Sequence, residues 1–268
     1  MSKHVPRFFL KKDIANNIQE GDFLTLSPQQ MHHATNVLRL KTGDEIKIFN
    51  EKIGEWNCDI FDIKKCMVRC KMQNIKPEVE SEIGIIVVFS LINPNKMSFL
   101  LEKITELGAT EIVPIISQYT QQKKLNKERA EQIIISASEQ CGRLSIPKIR
   151  DPQNLRDFLD NYNKYNYKCD LLVADEALRN ENTPQITTTT TTITIPSSTS
   201  SADISYSHNQ YAFLVGPEGG FSDEERASFR RYPFVKSISL GKNILRSETA
   251  AIAIMAAITV PFIIKPHR

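Results

Sequence analysis

No segment of this chain is apolar for long enough to cross a membrane. The longest unbroken apolar run, Ala250–Ile258, holds nine residues, against the ~20 that a membrane-spanning helix needs. Cysteine is scarce: Cys58, Cys66, Cys70, Cys141 and Cys169 are odd in number and form no CxxC pair. That argues against a zinc ribbon or a disulfide framework, and they read as small reduced core residues of an intracellular protein. His32 and His33 are adjacent, so on a helix they point in different directions, and no His/carboxylate cluster of ligand spacing occurs elsewhere. No metal is expected. Also missing are a GxSxG elbow, a Walker A loop and a GxGxxG fingerprint. The first residues, Met1-Ser2-Lys3-His4-Val5, pass almost at once into strand-like sequence. They leave no room for a secretory or long transit leader, so the expected location is the cytoplasm. An organellar substrate stays open.

What is present is ordinary for a globular protein: 268 residues, 41% hydrophobic and 24% charged, with a net charge of +3. The charge is unevenly placed. Residues 1–76 carry 13 Lys/Arg against 9 Asp/Glu, a balance of +4, so the remainder sums to −1. A mildly basic front half suits a polyanionic partner.

Two rhythms divide the chain. Over 1–76, a strand-like Val5–Leu10 precedes a helix start at Ser27-Pro28-Gln29-Gln30, with Ser as cap and Pro in the first turn. That helix is expected to carry His32, His33, Asn36 and Arg39. Glu45–Asn50, Gly54–Ile63 and Lys65–Gln73 then alternate as antiparallel strands. The sum is a small barrel-like module with one helix. Residues 77–82 are polar and aperiodic, a linker. From 83 to 268, strands alternate with helices: strands at Ile83–Leu91, Glu111–Ile116 and Asp170–Asp175, helices at Pro94–Leu107, Lys127–Cys141 and Leu155–Tyr162. This order predicts an α/β domain with a largely parallel sheet. A Thr/Ser-rich insert at about 180–209, including Thr187–Thr192, is too polar to bury and is expected to be disordered.

Two further strand–loop–helix units close the chain. Tyr211–Val215 and Val235–Leu240 read as buried strands, Ser222–Arg231 and Arg246–Val260 as helices. Between them stand Leu214-Val215-Gly216-Pro217-Glu218-Gly219-Gly220-Phe221-Ser222 and Leu240-Gly241-Lys242-Asn243-Ile244-Leu245-Arg246-Ser247-Glu248-Thr249-Ala250. Tight turns alone would explain either loop. Two in succession suggest one ligand floor at the carboxyl ends of parallel strands. Glu218 would repel a phosphate, so the floor suits a ligand with a positive centre. Charged residues also cluster at helix ends, at Glu102-Lys103 with Glu106, at Glu139 with Arg143, and at Arg246 with Glu248; capping accounts for each alone.

These last segments, "LVGPEGGFS" and "LGKNILRSETA", resemble the two hallmark stretches of the RsmE family. These are S-adenosylmethionine-dependent uridine-N3 methyltransferases of small-subunit ribosomal RNA, in the SPOUT superfamily. "PRFF" at Pro6–Phe9, "HHATNVLRLKTGDEI" at His32–Ile46, "EKITELGATEIVP" at Glu102–Pro114 and "ASEQCGRLSIPKI" at Ala137–Ile149 extend the resemblance along all but the insert. Lys242-Asn243 departs from it, standing where members commonly carry a Pro-containing pair.

The resemblance implies an α/β SPOUT domain with a C-terminal deep trefoil knot, behind a small PUA-like β-barrel that binds RNA. It implies a homodimer acting on small-subunit rRNA, free or in the assembled subunit. Leu214, Gly216, Glu218, Gly219 and Gly220 would form one wall of the methyl-donor pocket, and Leu240, Gly241, Ile244, Leu245 and Ala250 the other. Arg246 could stabilise charge on a uracil oxygen, and Glu248 is the candidate base. Arg7, Arg39, Lys41 and Arg143 are candidate RNA-backbone contacts. Ala250–Ile258, apolar on every side, is expected to be wholly buried, in part at a dimer interface. A ribose 2′-O-methyltransferase and a non-catalytic RNA-binding assembly factor are the competing readings.

Overall fold

The computed structural model describes residues 5–11, 18–75, 83–180, 187–189, 192–194 and 210–259. Contacts divide the chain into two units, 1–81 with 135–146, and 82–134 with 147–268. The expected linker over 77–82 lies outside the described residues.

The first unit is a five-stranded sheet of β1 (Arg7–Phe9), β2 (Phe23–Thr25), β3 (Glu45–Asn50), β4 (Gly54–Asp62) and β5 (Met67–Ile75), ordered β1-β3-β4-β5-β2. β3, β4 and β5 pair antiparallel, as their alternation predicts. β1 instead runs parallel to β3, with Arg7 opposite Lys47. Inward residues Phe8, Leu26, Ile46, Ile48, Ile60 and Val68 make the core. The helix α1 (Pro28–His32) opens with a full capping box, Ser27 and Gln30 bonding reciprocally. It runs into a π turn at His33–Val37 and stops. Arg39 therefore lies beyond the helix that the sequence assigned it, in a left-handed conformation at φ 58°.

Arg7 is the polar centre of this unit. Its Nε donates to Glu55 Oε2 at 2.6 Å. Nη1 donates to the carbonyls of Ser138 and Glu139 at 3.0 and 3.1 Å, and Nη2 to those of Gly142 and Arg143 at 3.1 and 3.2 Å. The guanidinium lies 4.0 Å over the Phe49 ring. It caps the orphan carbonyls at the C-terminus of α3 (Lys127–Cys141). Glu139 in turn accepts the Phe9 amide at 3.0 Å. These bonds explain why 135–146 groups with the front of the chain. They also correct the expectation for Arg7: its side chain is only 6% exposed, so it is occupied inside the protein and is not offered to a phosphate. Glu55 is buried, which raises its pKa, but hydrogen bonds from Lys47, Asn74 and Arg7 outweigh burial and hold it below the usual carboxylate range.

The second unit is a parallel sheet of β6 (Gly84–Ser90), β7 (Glu111–Ile116), β8 (Lys148–Ile149), β9 (Gln153–Asn154), β10 (Leu171–Ala174), β13 (Gln210–Val215) and β14 (Val235–Ile238). Its order is β14-β10-β13-β6-β7, with β8 and β9 both beside β7. β6 and β13 are buried along almost their whole length, as parallel strands covered on both faces must be. The helices are α2 (Pro94–Glu106), α4 (Leu155–Asp160), α5 (Asp223–Phe229) and α6 (Ser247–Thr259). A core of Val88, Val113, Phe158, Tyr162, Val173 and Leu214 fills one side of the sheet, with Tyr162 stacked on Phe234 at 4.3 Å.

Three expectations change here. In the Thr-rich insert, the described stretches β11 (Thr187–Thr189) and β12 (Thr192–Thr194) pair antiparallel, as β-branched threonine favours; the rest of the insert lies outside the described residues. α6 buries Ala250, Ala251, Ile254 and Met255, whereas Ala253 is exposed and Ile252, Ala256 and Ala257 are half-buried. It is therefore not buried all round in the single chain. The cysteines are all free, but only Cys58 and Cys70 are core residues, and Cys141 is exposed. Among the described residues no helix is long and apolar enough to cross a membrane, and no group of His, Cys, Asp or Glu is placed to hold a metal ion.

Replacing Arg7 by Met should cost about 2–4 kcal/mol in urea unfolding at neutral pH, because it strips a buried carboxylate and a helix end of their donor. The depressed Glu55 acid contributes stability above its unfolded pKa, and that contribution is lost as pH falls through its folded value. The gap between wild type and Arg7→Met should therefore narrow in acid. An Arg7→Met protein as stable as wild type at pH 7 would contradict this role.

Candidate functional site

Parallel pairing puts three strand ends at one rim. β10 lies between β13 and β14, with Ala174 in register with both Val215 and Ile238. The chain leaves all three strands at the same level, and the departing loops enclose one cleft. The β10 loop contributes Ala174, Asp175 and Glu176; the β13 loop Gly216, Pro217, Gly220 and Phe221. The β14 loop contributes Ser239, Leu240, Gly241, Asn243 and Leu245, and the first turn of α6 contributes Ser247 and Ala250.

Local bonds hold the loops still. The Gly220 amide donates to the Pro217 carbonyl at 2.9 Å, closing a turn. Ser222 and Glu225 form a capping box that starts α5 directly behind it. Ser247 Oγ donates to the Gly216 carbonyl at 2.7 Å, tying the first glycine loop to the start of α6. Two glycines stand where a side chain would crowd its neighbours. A Cβ on Gly216 would stand 3.1 Å from the buried Phe221 ring, and one on Gly220, at φ +68°, 2.6 Å from Glu176 Oε1.

The cleft carries excess negative charge. Asp175 is buried and accepts Arg226 Nε at 3.0 Å, while Glu176 lies 3.9 Å from the same guanidinium. Burial lowers the Arg226 pKa, but the bond and charge of Asp175 outweigh it and raise it overall. One cation thus meets Asp175 and Glu176, and outside the cleft lining Asp223 at 3.5 Å, beside an apolar slot of Leu240, Leu245 and Ala250. The carboxylates accept from a ligand with an apolar flat part, hydrogen-bond donors and positive charge, and they disfavour a phosphate. A sulfonium nucleoside carrying an ammonium group fits these residues.

Of the pocket residues expected from sequence, Gly216, Gly220, Leu240, Gly241, Leu245 and Ala250 line the cleft. Four do not. Leu214 is wholly buried in the core below. Gly219 packs on Tyr119, its Cβ position 3.1 Å from that of the tyrosine. Ile244 is 60% exposed. Glu218 points away and accepts Lys96 Nζ at 3.2 Å. Burial raises the Glu218 pKa, but backbone hydrogen bonds and Lys96 overcome this and hold it below the ordinary range. The carboxylates that face the cleft are Asp175 and Glu176. Sequence reading missed them, with Arg226, because strand order is not periodic information. A carboxylate pair directly after a buried strand was the available signal.

Arg246 is exposed just before α6. Glu248 is buried, and its Oε2 has no hydrogen-bond partner among the described residues; neither lines the cleft. Arg39 and Lys41 are exposed. Arg143 is partly buried and donates to Ser145 Oγ at 2.8 Å.

An RNA methyltransferase domain matches residues 79–259, and an RNA methyltransferase PUA domain matches 26–68. The ribosomal RNA small subunit methyltransferase E of Rickettsia conorii is 36% identical over 94% of both chains. This chain belongs to the ribosomal RNA small subunit methyltransferase E family. The Buchnera aphidicola member from Acyrthosiphon pisum is 30% identical over 97% of this chain and 95% of its own. The Neisseria gonorrhoeae methyltransferase E, whose crystal structure holds S-adenosyl methionine, matches with a TM-score of 0.74 at 27% identity, covering 95% of this chain and 96% of that one. A Legionella pneumophila methyltransferase in complex with the same cofactor matches at 0.72 and 26%, covering 96% and 97%. The family's cofactor is thus one whose positive sulfonium and ammonium agree with the charge of this cleft.

Calorimetry with S-adenosylmethionine should separate the cleft wall from its surroundings. Gly216→Ala, which has to displace the Phe221 ring, and Leu245→Ala should each weaken binding roughly ten-fold. Ile244→Ala should leave it within about two-fold, since surface substitutions away from such features change little. Equal losses for Ile244→Ala and Leu245→Ala would contradict the placement of the cleft.

Proposed function

We propose that this chain methylates N3 of one uridine in small-subunit, 16S-type ribosomal RNA, with S-adenosylmethionine as donor. The observation that carries the reading is the cleft itself: both motif loops and the end of β10 meet in one negatively biased, apolar-floored site, in a chain belonging to that enzyme family. Gly216, Gly220, Leu240, Gly241, Leu245 and Ala250 hold the donor. Leu214, Gly219, Glu218 and Ile244 support these loops from outside the cleft. When bound, the donor supplies a methyl group on a positive sulfonium, and transfer to N3 requires loss of the N3 proton. Glu248 takes that proton at Oε2, the oxygen with no partner of its own. Arg246 stabilises the negative charge that develops on a uracil oxygen. The loops align donor and acceptor, and the base is splayed from the RNA so that N3 can be reached.

The domain assignment follows: a PUA-like RNA-binding domain at 1–76, a linker at 77–82 and a SPOUT methyltransferase domain at 83–268. Arg39, Lys41 and Arg143 contribute RNA-backbone contacts. We place a trefoil knot at the C-terminus. Supporting it, the chain runs out to edge strand β14 and then returns as α6 to pack on α2, β13 and β6. The half-open apolar side of α6 supports a homodimer, and the cytoplasm is the proposed location.

The test is incubation with labelled S-adenosylmethionine and small-subunit particles, then mass spectrometry of the digested nucleosides. The product expected is 3-methyluridine. A 2′-O-methylated nucleoside would refute the base chemistry, and RNA binding without transfer would favour an assembly factor. Glu248→Gln should lower kcat by about 10²–10⁴ and Arg246→Ala by about 10², both with donor affinity unchanged; loss of donor binding instead would remove their catalytic assignment.

A further inference from the structure

The second unit has another concavity, enclosed by the first turns of α2, the chain between β7 and α3, and the start of α3. Ile92, Met97, Leu101 and Ile133 line it with apolar surface, and Lys124 and Arg129 stand among its lining residues as the only charges. Both cations are exposed, and neither joins an ion pair among the described residues. Lys127, three residues after Lys124, is by contrast held by Asp151 at 2.7 Å.

Contacts through α2 connect the surroundings of this cleft to those of the donor cleft. Lys96, beside Met97 on α2, pairs with Glu218 at 3.2 Å. Next to it, Gly219 packs on Tyr119, a residue that is 49% exposed. Glu218 and Gly219 belong to the Pro217–Gly220 turn, whose first and last residues line the donor cleft.

An apolar slot with exposed unpaired cations suits single-stranded nucleic acid, and the exposed Tyr119, outside the slot's lining but in the same connection as Gln122 within it, offers an aromatic face nearby. The base is desolvated or stacked and the phosphate is neutralised. We infer that this cleft binds an unpaired nucleotide of the substrate RNA adjoining the target base, with Lys124 and Arg129 on its phosphates and Tyr119 as a stacking face. The inference rests on the methyltransferase reading and adds a subsite to it.

The test uses the full chain, S-adenosylmethionine and a labelled single-stranded fragment of small-subunit rRNA containing the mapped target. Lys124→Ala/Arg129→Ala should weaken RNA binding roughly ten-fold and flatten the log–log salt slope by about 1.4, the value for two lost phosphate contacts on a single strand. Ser98→Phe, which fills the cleft from α2 without altering charge, should weaken binding with the slope unchanged. Both variants should keep wild-type donor affinity and thermal stability. Unchanged RNA affinity in both variants, with an active wild type, would overturn the subsite alone. So would a variant that turns a dimeric wild type monomeric in sedimentation, which would assign the cleft to a second copy. A wild type that transfers no methyl group to small-subunit RNA would remove the reading beneath it as well.

Discussion

The parallel alignment of β14, β10 and β13 is the constraint on which the rest depends. With Ala174 level with both Val215 and Ile238, three chains must turn away from the sheet at one height. Their loops cannot avoid one another. The glycines then decide how closely they approach: Gly216 admits the Phe221 ring, and Gly220 admits the Glu176 carboxylate. A side chain at Gly216 would press on the Phe221 ring, and one at Gly220 would strain a left-handed backbone and displace the Glu176 carboxylate. The charge balance of the cleft is set by the same alignment, because it brings the end of β10, with Asp175 and Glu176, between the two motif loops.

The Pro217–Gly220 turn then has two sides. Its ends face the cleft between the three strand ends, while Glu218 and Gly219 are fastened outward to Lys96 and Tyr119. Ser247 and the α5 capping box fix its flanks. A turn fastened on both sides suits a transfer reaction, in which misplacement of a reactant is costly. In the other unit a single buried guanidinium, that of Arg7, plays the comparable organising part by gathering Glu55, Phe49 and the end of α3.

Much of this was legible in the sequence where the signal was local. Lys127–Cys141 and Glu111–Ile116 stand at their expected bounds, and the Ser27–Gln30 capping box is complete. What was not legible depended on neighbours distant in sequence. The parallel pairing of β1 with β3 and the place of β10 between β13 and β14 are matters of topology. Arg7 looked like a surface cation because nothing near it in sequence announces Glu55 or the carbonyls of 138–143. Glu218 is a pocket residue by the family resemblance, but here its carboxylate is taken by Lys96 from outside the cleft. Six of the residues named from sequence do line the cleft, on loops close to the glycines.

Hydrogen exchange of the whole chain with and without S-adenosylmethionine tests the central claim most directly. The account expects slowed exchange confined to three separated stretches, 174–176, 215–221 and 239–250, whose only common feature is the rim of one parallel sheet. Protection of the two motif loops without the end of β10, or protection centred elsewhere, would contradict it.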